Sequence, residues 1–549
     1  MQRWLPAAAC VLFLGYVVGL WLGRLPYPFD LEWMEGGMLA HAWRMRHGQP
    51  VYVRPNADFV PYIYPPGYSA IVAALGTLVG ISPPVGRLVS IVGTLLASAA
   101  AAFVVHHRRP TDRLAALFAG VAFLGTWVHA GAFYDIVRPD GMMLGLLGWS
   151  VALVVTGVRG GPAADGLLLA AAALTKHNAL AFAPALALCA TWRGGWRAGA
   201  TFLASALLPV AALTGLLQLR SSGLFLTYLL EVPASHGRAW SRAWPDTPRE
   251  LGTPLAVPLA VICGWQLVRA ITQQRSFPAW ATAGLPVLTG MLAAWWGTYV
   301  PPAAGSGVYN VPAAVAFFAL GAIPVAEVLL RVGQRDDRLA GRPVERRSLA
   351  QAWVLGLTGL AVCTAMRMHD GGFVNVHAPM FWLIAVGAGL LLAELRESSR
   401  GRWLAAGAVG AHLFWAVGMI EPTRLLPNEA DLAMGDRFVR ACREVDGPVL
   451  SPFAAWIPVY AGRPPSLHYQ AIWDLQGRRN PLHDDADQAM RKAIRERRWS
   501  LVLGGNQPIG YGLPDHYRSE PPLLDAKKPA LRPKTGWQAR PTRLMYPGR

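Results

Sequence analysis

The chain has 549 residues, of which 53% are hydrophobic and 15% are charged. Soluble globular proteins carry about 25% charged residues, so this composition excludes a single large water-soluble domain. The net charge of +18 would indicate nucleic acid in a soluble chain. Here the arginines lie between apolar blocks and near the C-terminal end, where they orient membrane spans, and no nucleic-acid partner is expected.

Thirteen apolar blocks are predicted to cross a membrane as helices, because about 20 apolar residues span a hydrocarbon core of ~30 Å. The first block follows Arg3 and has no small-x-small cleavage site, so it is interpreted as an uncleaved span rather than a signal peptide. Two blocks in the middle of the chain are short. The predicted spans are 4–23, 86–106, 114–131, 141–158, 164–176, 178–192, 197–219, 254–270, 279–299, 311–331, 349–366, 378–395 and 402–420.

The arginine-rich loops between spans, such as the one with Arg108 and Arg109, are predicted to face the cytoplasm. The opposite side then receives a long first outer loop, 24–85, the segment Phe133–Asp140 and the loop 220–253. An odd number of spans places residues 421–549 on that side as well. We therefore expect localisation in the bacterial cytoplasmic (inner) membrane, with an extracytoplasmic C-terminal domain among membrane lipids.

The predicted fold class is an all-α polytopic membrane protein with a small α/β C-terminal domain. The boundaries are 1–420 for the membrane domain, 421–526 for the α/β domain and 527–549 for a basic, Pro-containing tail that we expect to be loosely ordered. In the α/β domain, a charged helical stretch accompanies three strand-like runs. The helical stretch is Ala486–Arg498, and the runs are Gly447–Ala454, Trp456–Tyr460 and Trp499–Gly504.

Three carboxylates, Asp30, Glu32 and Glu35, lie within six residues directly after the first span. On a helix Glu32 and Glu35 would share one face. A carboxylate beside an apolar wall can have a raised pKa that suits a general base. The alternative is a solvated acidic loop in which Asp30 caps a helix.

Charged residues also mark the ends of later apolar blocks. Arg138 and Asp140 are costly if they face lipid, so they are predicted to face a watery cavity, where Arg138 can hold a phosphate through its fork of donors. Alternatively, Asp140 caps the fourth span and pairs with Arg138. Lys176 and His177 interrupt an apolar stretch, which makes Lys176 a candidate functional residue or a side chain that snorkels to the interface.

Two further outer segments carry candidate ligand-binding residues. The loop 220–250 contains Glu231 and His236 among arginines and tryptophans, a mixture that suits a sugar or a lipid headgroup and equally an interfacial aromatic belt. Asn375 follows a Gly-Gly pair that allows close approach of a ligand. The sequence contains no HExxH, P-loop, GxSxG or dinucleotide-binding fingerprint, so nucleotide-dependent chemistry is not supported.

Together these motifs resemble those of the GT-C superfamily, and more closely the bacterial membrane glycosyltransferases related to aminoarabinose transferases and protein O-mannosyltransferases. The resemblance covers nearly the whole chain in topology and depends in sequence on short motifs. These are the acidic pair after the first span, Tyr64-Pro-Pro-Gly-Tyr68, Arg138-Pro139-Asp140, Lys176 at a short fifth span, Gly371-Gly372-x-x-Asn375 and Ala461-Gly462-Arg463-Pro464.

The resemblance implies transfer of a sugar from a polyprenyl-phosphate donor to a glycan, lipid or protein acceptor at the outer face of the membrane. An acidic residue of the first outer loop would act as the base or help to hold a divalent metal, and no other cofactor is implied. Carried over to this chain, the first candidate for that residue is Glu35, and the next candidates are Asp30 and Glu32. Where the family often has an Asp-Glu pair, this chain has Met34 before Glu35. Arg138 and Lys176 would neutralise the donor phosphate. Tyr64, Asp140, His177, Glu231, His236 and Asn375 complete the predicted substrate-binding set.

Two other functions remain open from the sequence. A transporter or lipid flippase would carry charged residues deep within several spans and repeated half-structures. A scaffold would use the outer C-terminal domain to bind a partner and would leave the first-loop carboxylates without a role. The depth of the polar residues discriminates between an enzyme and a transporter, since clustering at the outer face favours the enzyme.

Overall fold

The computed structural model describes residues 4–158, 160–244, 246–257, 343–477, 479–523 and 530–548. The main helices are α1 (Leu5–Arg24), α2 (Glu35–Arg46), α3 (Gly67–Val79), α4 (Pro83–Arg108), α5 (Arg113–Leu124), α6 (Asp140–Thr156), α7 (Gly161–Thr175), α8 (Ala183–Arg220), α9 (Asp246–Gly252), α10 (Pro343–Met368), α11 (Ala378–Leu395), α12 (Ser399–Gly418), α13 (Glu429–Arg443), α14 (Tyr469–Asp474) and α15 (His483–Arg495). Single helical turns lie at His177–Phe182, Leu224–Leu226, Thr227–Glu231, Val232–Ser235, Trp240–Arg242, Val374–His377, Pro422–Leu425, Ile457–Ala461 and Leu513–His516. The strands are β1 (Val449–Leu450), β2 (Leu501–Gly505), β3 (Tyr517–Ser519) and β4 (Pro541–Pro547).

Local sequence signals account for where the apolar helices begin. Helices α1, α4, α8 and α11 each have a proline in the first turn, where the missing N–H would lack a helical partner in any case. The side chain of Asp112 accepts a hydrogen bond from the Ala115 N–H at the start of α5, and Ser398 caps α12 in the same way.

Within the described residues, four helices are long and apolar enough to cross a membrane: Leu5–Arg24, Pro83–Arg108, His177–Arg220 and Val374–Leu395. A fifth is counted if the bent pair Ser399–Gly418 and Pro422–Arg443 forms one span. This is the architecture of a multi-pass membrane protein.

The spans predicted within the described residues coincide with helices. The blocks 178–192 and 197–219 lie on the two sides of a break in α8 at Gly195 (φ 79°), in the loop that the sequence predicts between them, and the first block begins in the turn His177–Phe182. Helix α5 ends at Leu124, earlier than the predicted 131. The predicted spans 254–270, 279–299 and 311–331 lie outside the described residues, so the total of thirteen stays a prediction.

Helices α4 and α6 form the centre of the apolar core. A Cβ atom added at Gly145 of α6 would lie 2.4 Å from the carbonyl oxygen of Gly93 on α4. The two backbones therefore touch directly, as small residues allow in membrane helix pairs. This contact brings the start of α6, with Asp140, close to α4 on the side of the first outer loop.

The C-terminal region contains a four-stranded mixed sheet in the order β1-β2-β4-β3, in which β1 and β2 are parallel and β4 is antiparallel to both of its neighbours. The prediction of a strand at Trp456–Tyr460 is wrong, because residues Ile457–Ala461 form a 3₁₀ turn around Pro458, which has no N–H for a sheet ladder. The expectation of a loosely ordered tail is also wrong, because β4 lies in the interior of the sheet.

The C-terminal region packs directly on the first outer loop, and the two share one apolar core. Trp33 and Met34 of the loop lie in the same buried cluster as Phe453, Trp456 and Leu467. Gly36 is in contact with the backbone at Trp456, where a Cβ atom would lie 2.8 Å from the amide nitrogen. The loop that carries the three predicted carboxylates is therefore enclosed between the helices and the C-terminal region.

Candidate active site

Glu35 is fully buried and both of its carboxylate oxygens are occupied. Arg87 of α4 donates to Oε1 at 3.0 Å and to Oε2 at 2.6 Å. The N–H groups of Leu31 and Val137 donate to the same carboxylate at 2.6 and 2.7 Å. Glu35 thus ties together the first loop, α4 and the segment before α6, and it has no oxygen free for a substrate.

Arg87 is a site residue that the sequence interpretation missed. Its guanidinium also donates to the carbonyl oxygens of Phe29 and Tyr27, and its side chain is completely buried. An arginine inside a predicted span is a signal for a functional or structural polar contact, and that signal was present at the start of the block 86–106.

Glu32 is the first-loop carboxylate that faces the cationic residues. Its Oε2 accepts a hydrogen bond from the Met34 N–H at 3.2 Å and lies 3.8 Å from Nη1 of Arg138. Burial raises the pKa of Glu32 to about 7, although the positive charge of Arg138 opposes this rise. A carboxyl group with this pKa can exchange a proton near neutral pH.

Asp30 combines a capping contact with an unpaired oxygen. Its Oδ1 accepts a hydrogen bond from the Gly36 N–H in the first turn of α2 at 3.1 Å, although the N-cap position itself is held by Met34. Its Oδ2 is buried without a hydrogen-bond partner among the described residues. Burial, with Glu35 nearby, raises the pKa of Asp30 well above its usual range.

Five of the predicted substrate-binding residues form one connected chain of contacts. Arg138 donates to the hydroxyl of Tyr64 at 3.0 Å, and its Nε lies 4.0 Å from Oδ2 of Asp140. Oδ1 of Asp140 accepts hydrogen bonds from Lys176 and Asn375, each at 2.7 Å. The structure therefore joins residues from the first loop, the start of α6, the end of α7 and the turn before α11.

Unpaired polar atoms mark the middle of this chain. Nε of Arg138 and Oδ2 of Asp140 are buried and have no hydrogen-bond partner among the described residues, and their side chains are only 7% and 3% exposed. The two atoms face each other at 4.0 Å, which is beyond hydrogen-bond distance, and a buried polar group without a hydrogen bond costs about 1–3 kcal/mol. A polar ligand that reaches this point would satisfy the unpaired atoms.

The remaining three predicted substrate-binding residues lie outside this chain of contacts. His177 follows Lys176 in sequence, and its Nδ1 is buried without a partner among the described residues. Glu231 is exposed. His236 contacts the carbonyl oxygen of Asp474 through Nε2 at 2.7 Å, and its ring lies 4.9 Å from that of His369.

The C-terminal region contains two buried polar residues that the sequence interpretation did not identify. His468 accepts the Gln470 N–H through Nδ1 at 3.0 Å, so its Nε2 carries the hydrogen that it donates to the Trp33 carbonyl at 2.6 Å. Asp474 is buried, and this burial raises its pKa to about 7. No local motif around His468 indicated contact with the first loop.

The first-loop carboxylates do not form a metal-binding set. Among the described residues, no group of three or more His, Cys, Asp or Glu side chains is placed to hold a metal ion. Glu35 is paired with Arg87, and Glu32 lies beside Arg138. A divalent ion would therefore face two arginines at this point, and the donor set does not fit one.

No family model and no curated protein matches the chain. In three dimensions the chain is similar to solved structures of other proteins. One is ArnT from Cupriavidus metallidurans, bound to undecaprenyl phosphate (16% identity, TM-score 0.47, 98% of this chain and 97% of that chain) or in the apo state (15%, 0.46, with the same coverage). Another is the Archaeoglobus fulgidus oligosaccharyltransferase, tethered to an acceptor peptide (12% identity, TM-score 0.44, 92% of this chain and 69% of that chain).

Proposed function

We propose that the protein is a membrane glycosyltransferase that moves a sugar from a polyprenyl-phosphate donor to a hydroxyl group of a glycan, lipid or protein acceptor. The observation that carries the proposal is a buried cluster in which Glu32, with a pKa of about 7, lies 3.8 Å from Arg138. Arg138 is in turn linked through Asp140 to Lys176. A base can accept the proton of the acceptor, and fixed cations can stabilise the phosphate as it leaves.

In the proposed reaction Glu32 accepts the proton of the acceptor hydroxyl. The acceptor oxygen forms a bond to the anomeric carbon of the sugar as the bond from that carbon to the phosphate oxygen breaks. The polyprenyl phosphate leaves with the bonding electrons, and Arg138 and Lys176 stabilise its charge. Fixed cations aimed at a developing anion lower the barrier because they need no reorganisation during the reaction.

The sequence motifs placed Glu35 first as the base, and the contacts favour Glu32 instead. A general base needs a lone pair within hydrogen-bond reach of the acceptor. Glu35 accepts from Arg87 and two backbone N–H groups, so we assign it to holding the loop. Asp30, with one capping oxygen and one unpaired oxygen, is the second candidate for the base.

The position of the cluster favours an enzyme over a transporter. Arg87 lies near the start of α4 and Asp140 is the first residue of α6. Lys176 follows the last residue of α7, and Asn375 precedes α11. The charged residues thus meet at helix ends on one side, as a reaction at the membrane surface requires. We propose that this side is the outer face of a bacterial cytoplasmic membrane and that residues 421–549 lie there.

The test is a donor screen on purified protein in lipid, with polyprenyl-phosphate sugars offered one at a time and release of free polyprenyl phosphate as the readout. We expect Glu32→Gln to abolish release, while Glu496→Gln, a change at a carboxylate whose side chain is 61% exposed, retains it. Full activity in Glu32→Gln would contradict Glu32 as the base. No release with any donor from folded wild-type protein would overturn the proposed function.

The phosphate-binding role of Lys176 is tested separately. Lys176→Gln removes one of the two cations, so we expect a higher KM for the donor and a lower kcat. Lys492→Gln is the matched control, because Lys492 lies on the exposed side of α15 with its side chain 70% exposed. Equal kinetics in the two variants would exclude Lys176 from donor binding.

A further inference from the structure

The C-terminal segment 530–537 runs along the peptide that carries Glu32. The N–H groups of Lys534 and Thr535 both donate to the Leu31 carbonyl, at 2.7 and 3.2 Å. Glu32 and Thr535 also form an isolated parallel β-bridge. A segment about 500 residues away in sequence thus pairs with the first loop through its backbone.

This segment is itself held firmly by helix α13. Asp431, which is completely buried, accepts hydrogen bonds from the Leu531 N–H and from Nζ of Lys534, each at 2.7 Å. Arg540 donates to the Ala530 carbonyl. The segment therefore has a fixed support and can fix the position of the residues that it contacts.

Gly536 packs directly against the Glu32 side chain. A Cβ atom at residue 536 would lie 2.7 Å from Oε1 of Glu32 and 3.0 Å from its Cγ. Gly536 also has a φ of +70°, which glycine adopts without steric cost. Any side chain at this position would displace the Glu32 carboxylate.

The neighbouring residue, Trp33, is held from the same side. The ring of Trp537 meets that of Trp33 edge-on, with 4.8 Å between centroids, and His468 donates to the Trp33 carbonyl. The backbone on each side of the Glu32 side chain is therefore bound to the C-terminal region, at Leu31 and at Trp33.

We propose that residues 530–537 act as a clamp that positions Glu32 for proton transfer, and that Gly536 is the positioning residue that sets where its carboxylate lies. The catalytic consequence depends on the proposed function, whereas the contact between Gly536 and Glu32 does not. The clamp explains why a basic, Pro-containing terminal segment is built into the sheet through β4 instead of being left free.

The first experiment compares Gly536→Ala with Gly510→Ala in the full-length protein in lipid. Gly510 has a similar φ of +83° and open space where a Cβ atom would lie, so it controls for backbone strain alone. We expect kcat to fall about 100-fold in Gly536→Ala, as for a ~1 Å misplacement of a catalytic group, with the donor KM within about twofold of wild type. The acid limb of its pH–rate profile should also move, and Gly510→Ala should keep the wild-type profile. Wild-type kcat in Gly536→Ala would overturn the clamp.

The second experiment is independent of turnover and measures thermal unfolding of Gly536→Ala and Gly510→Ala. Each is measured alone and in combination with Glu32→Ala, and Glu32→Ala is measured by itself. We expect Gly536→Ala to lower the unfolding midpoint more than Gly510→Ala does, and Glu32→Ala to restore most of that difference, because it removes the carboxylate that the new methyl group meets. Glu32→Ala should restore nothing to Gly510→Ala. If the changes in unfolding midpoint caused by Gly536→Ala and Glu32→Ala are additive, the clamp is overturned. If they are coupled but the wild type shows no turnover, the proposed function is overturned and the clamp remains.

Discussion

Glu32 and Glu35 are three residues apart in one loop, and their surroundings give them different tasks. Four donors occupy the carboxylate of Glu35, whereas Glu32 accepts a single backbone hydrogen bond and has a pKa raised to about 7 by burial. The distinction comes from residues that lie far away in sequence. It has consequences for both activity and stability.

The proposed transfer activity should fall below a pH of about 7. As the proposed base, Glu32 would act only when it is ionised. Burial raises its pKa to about 7, so kcat/KM should drop about tenfold for each pH unit below that value. The measurement is a pH–rate profile of polyprenyl phosphate release. Asp474→Asn is the control, since Asp474 is a second buried carboxyl group with a pKa of about 7 that we do not place in the reaction. A fall in rate that begins only near pH 4.5 would contradict Glu32 as the base. So would a profile in which Asp474→Asn abolishes the fall in rate below pH 7.

The same raised pKa predicts that Glu32 destabilises the folded protein at alkaline pH. The group has an ordinary pKa of 4.5 and a folded pKa of about 7, so folding favours its protonated form. Its contribution to stability is complete below pH 4.5 and is lost as the pH rises to about 7. We therefore expect Glu32→Gln to have a higher unfolding midpoint than the wild type at pH 8, and the difference to shrink towards pH 4.5. A lower midpoint at pH 8 would contradict the assigned pKa shift.

At the scale of elements, the ion pair between Arg87 and Glu35 connects α2 to α4, and both side chains are completely buried. Removing one partner of a buried pair leaves an uncompensated charge and costs about 3–5 kcal/mol. We expect Arg87→Met to lower the free energy of unfolding by about that amount, and Arg87→Met combined with Glu35→Met to recover part of the loss. Denaturant unfolding of the single and double variants measures this coupling, and strictly additive losses would show that the pair is not coupled.

The order of the elements and much of the site were predictable, because apolar length and charge position are local signals. Arg138, Asp140 and Lys176 stand out at the ends of apolar blocks, and the structure joins them at the ends of α6 and α7. The choice between Glu32 and Glu35 was not predictable. It depends on Arg87, 52 residues away, and on the Val137 N–H, 102 residues away, and no local pattern reports such contacts.

The terminal segment shows why composition misled the prediction of order. Lysine, arginine and proline dominate after Lys527, a mixture typical of disorder, yet Pro541 and Pro547 are the first and last residues of β4. A strand tolerates proline at its ends, where a missing N–H costs least. The residues between them find partners on β2 and β3, which only the assembled sheet supplies.

At the scale of the whole molecule, the first loop and the C-terminal region share one core, so both must lie on the same side of the membrane. Arg109 follows the last residue of α4, and Glu397 lies just after the end of α11. Their side chains form an exposed ion pair at 3.0 Å. Since α4 links the first loop to Arg109, this pair should lie on the opposite side, where arginine-rich loops face the cytoplasm.

Cysteine labelling in intact cells tests this arrangement. The described cysteines are buried and should not react; they are Cys10, Cys189, Cys363 and Cys442. All labelling variants also carry Cys263→Ser, so that this cysteine gives no background. We expect an impermeant maleimide to label Gln49→Cys and Gln538→Cys, which are exposed positions in the first loop and the terminal segment. Arg109→Cys and Glu397→Cys should react only after the cells are permeabilised. Labelling of Gln49→Cys without Gln538→Cys would separate the two regions across the membrane. That result would contradict the shared core, the clamp and an active site built from both ends of the chain.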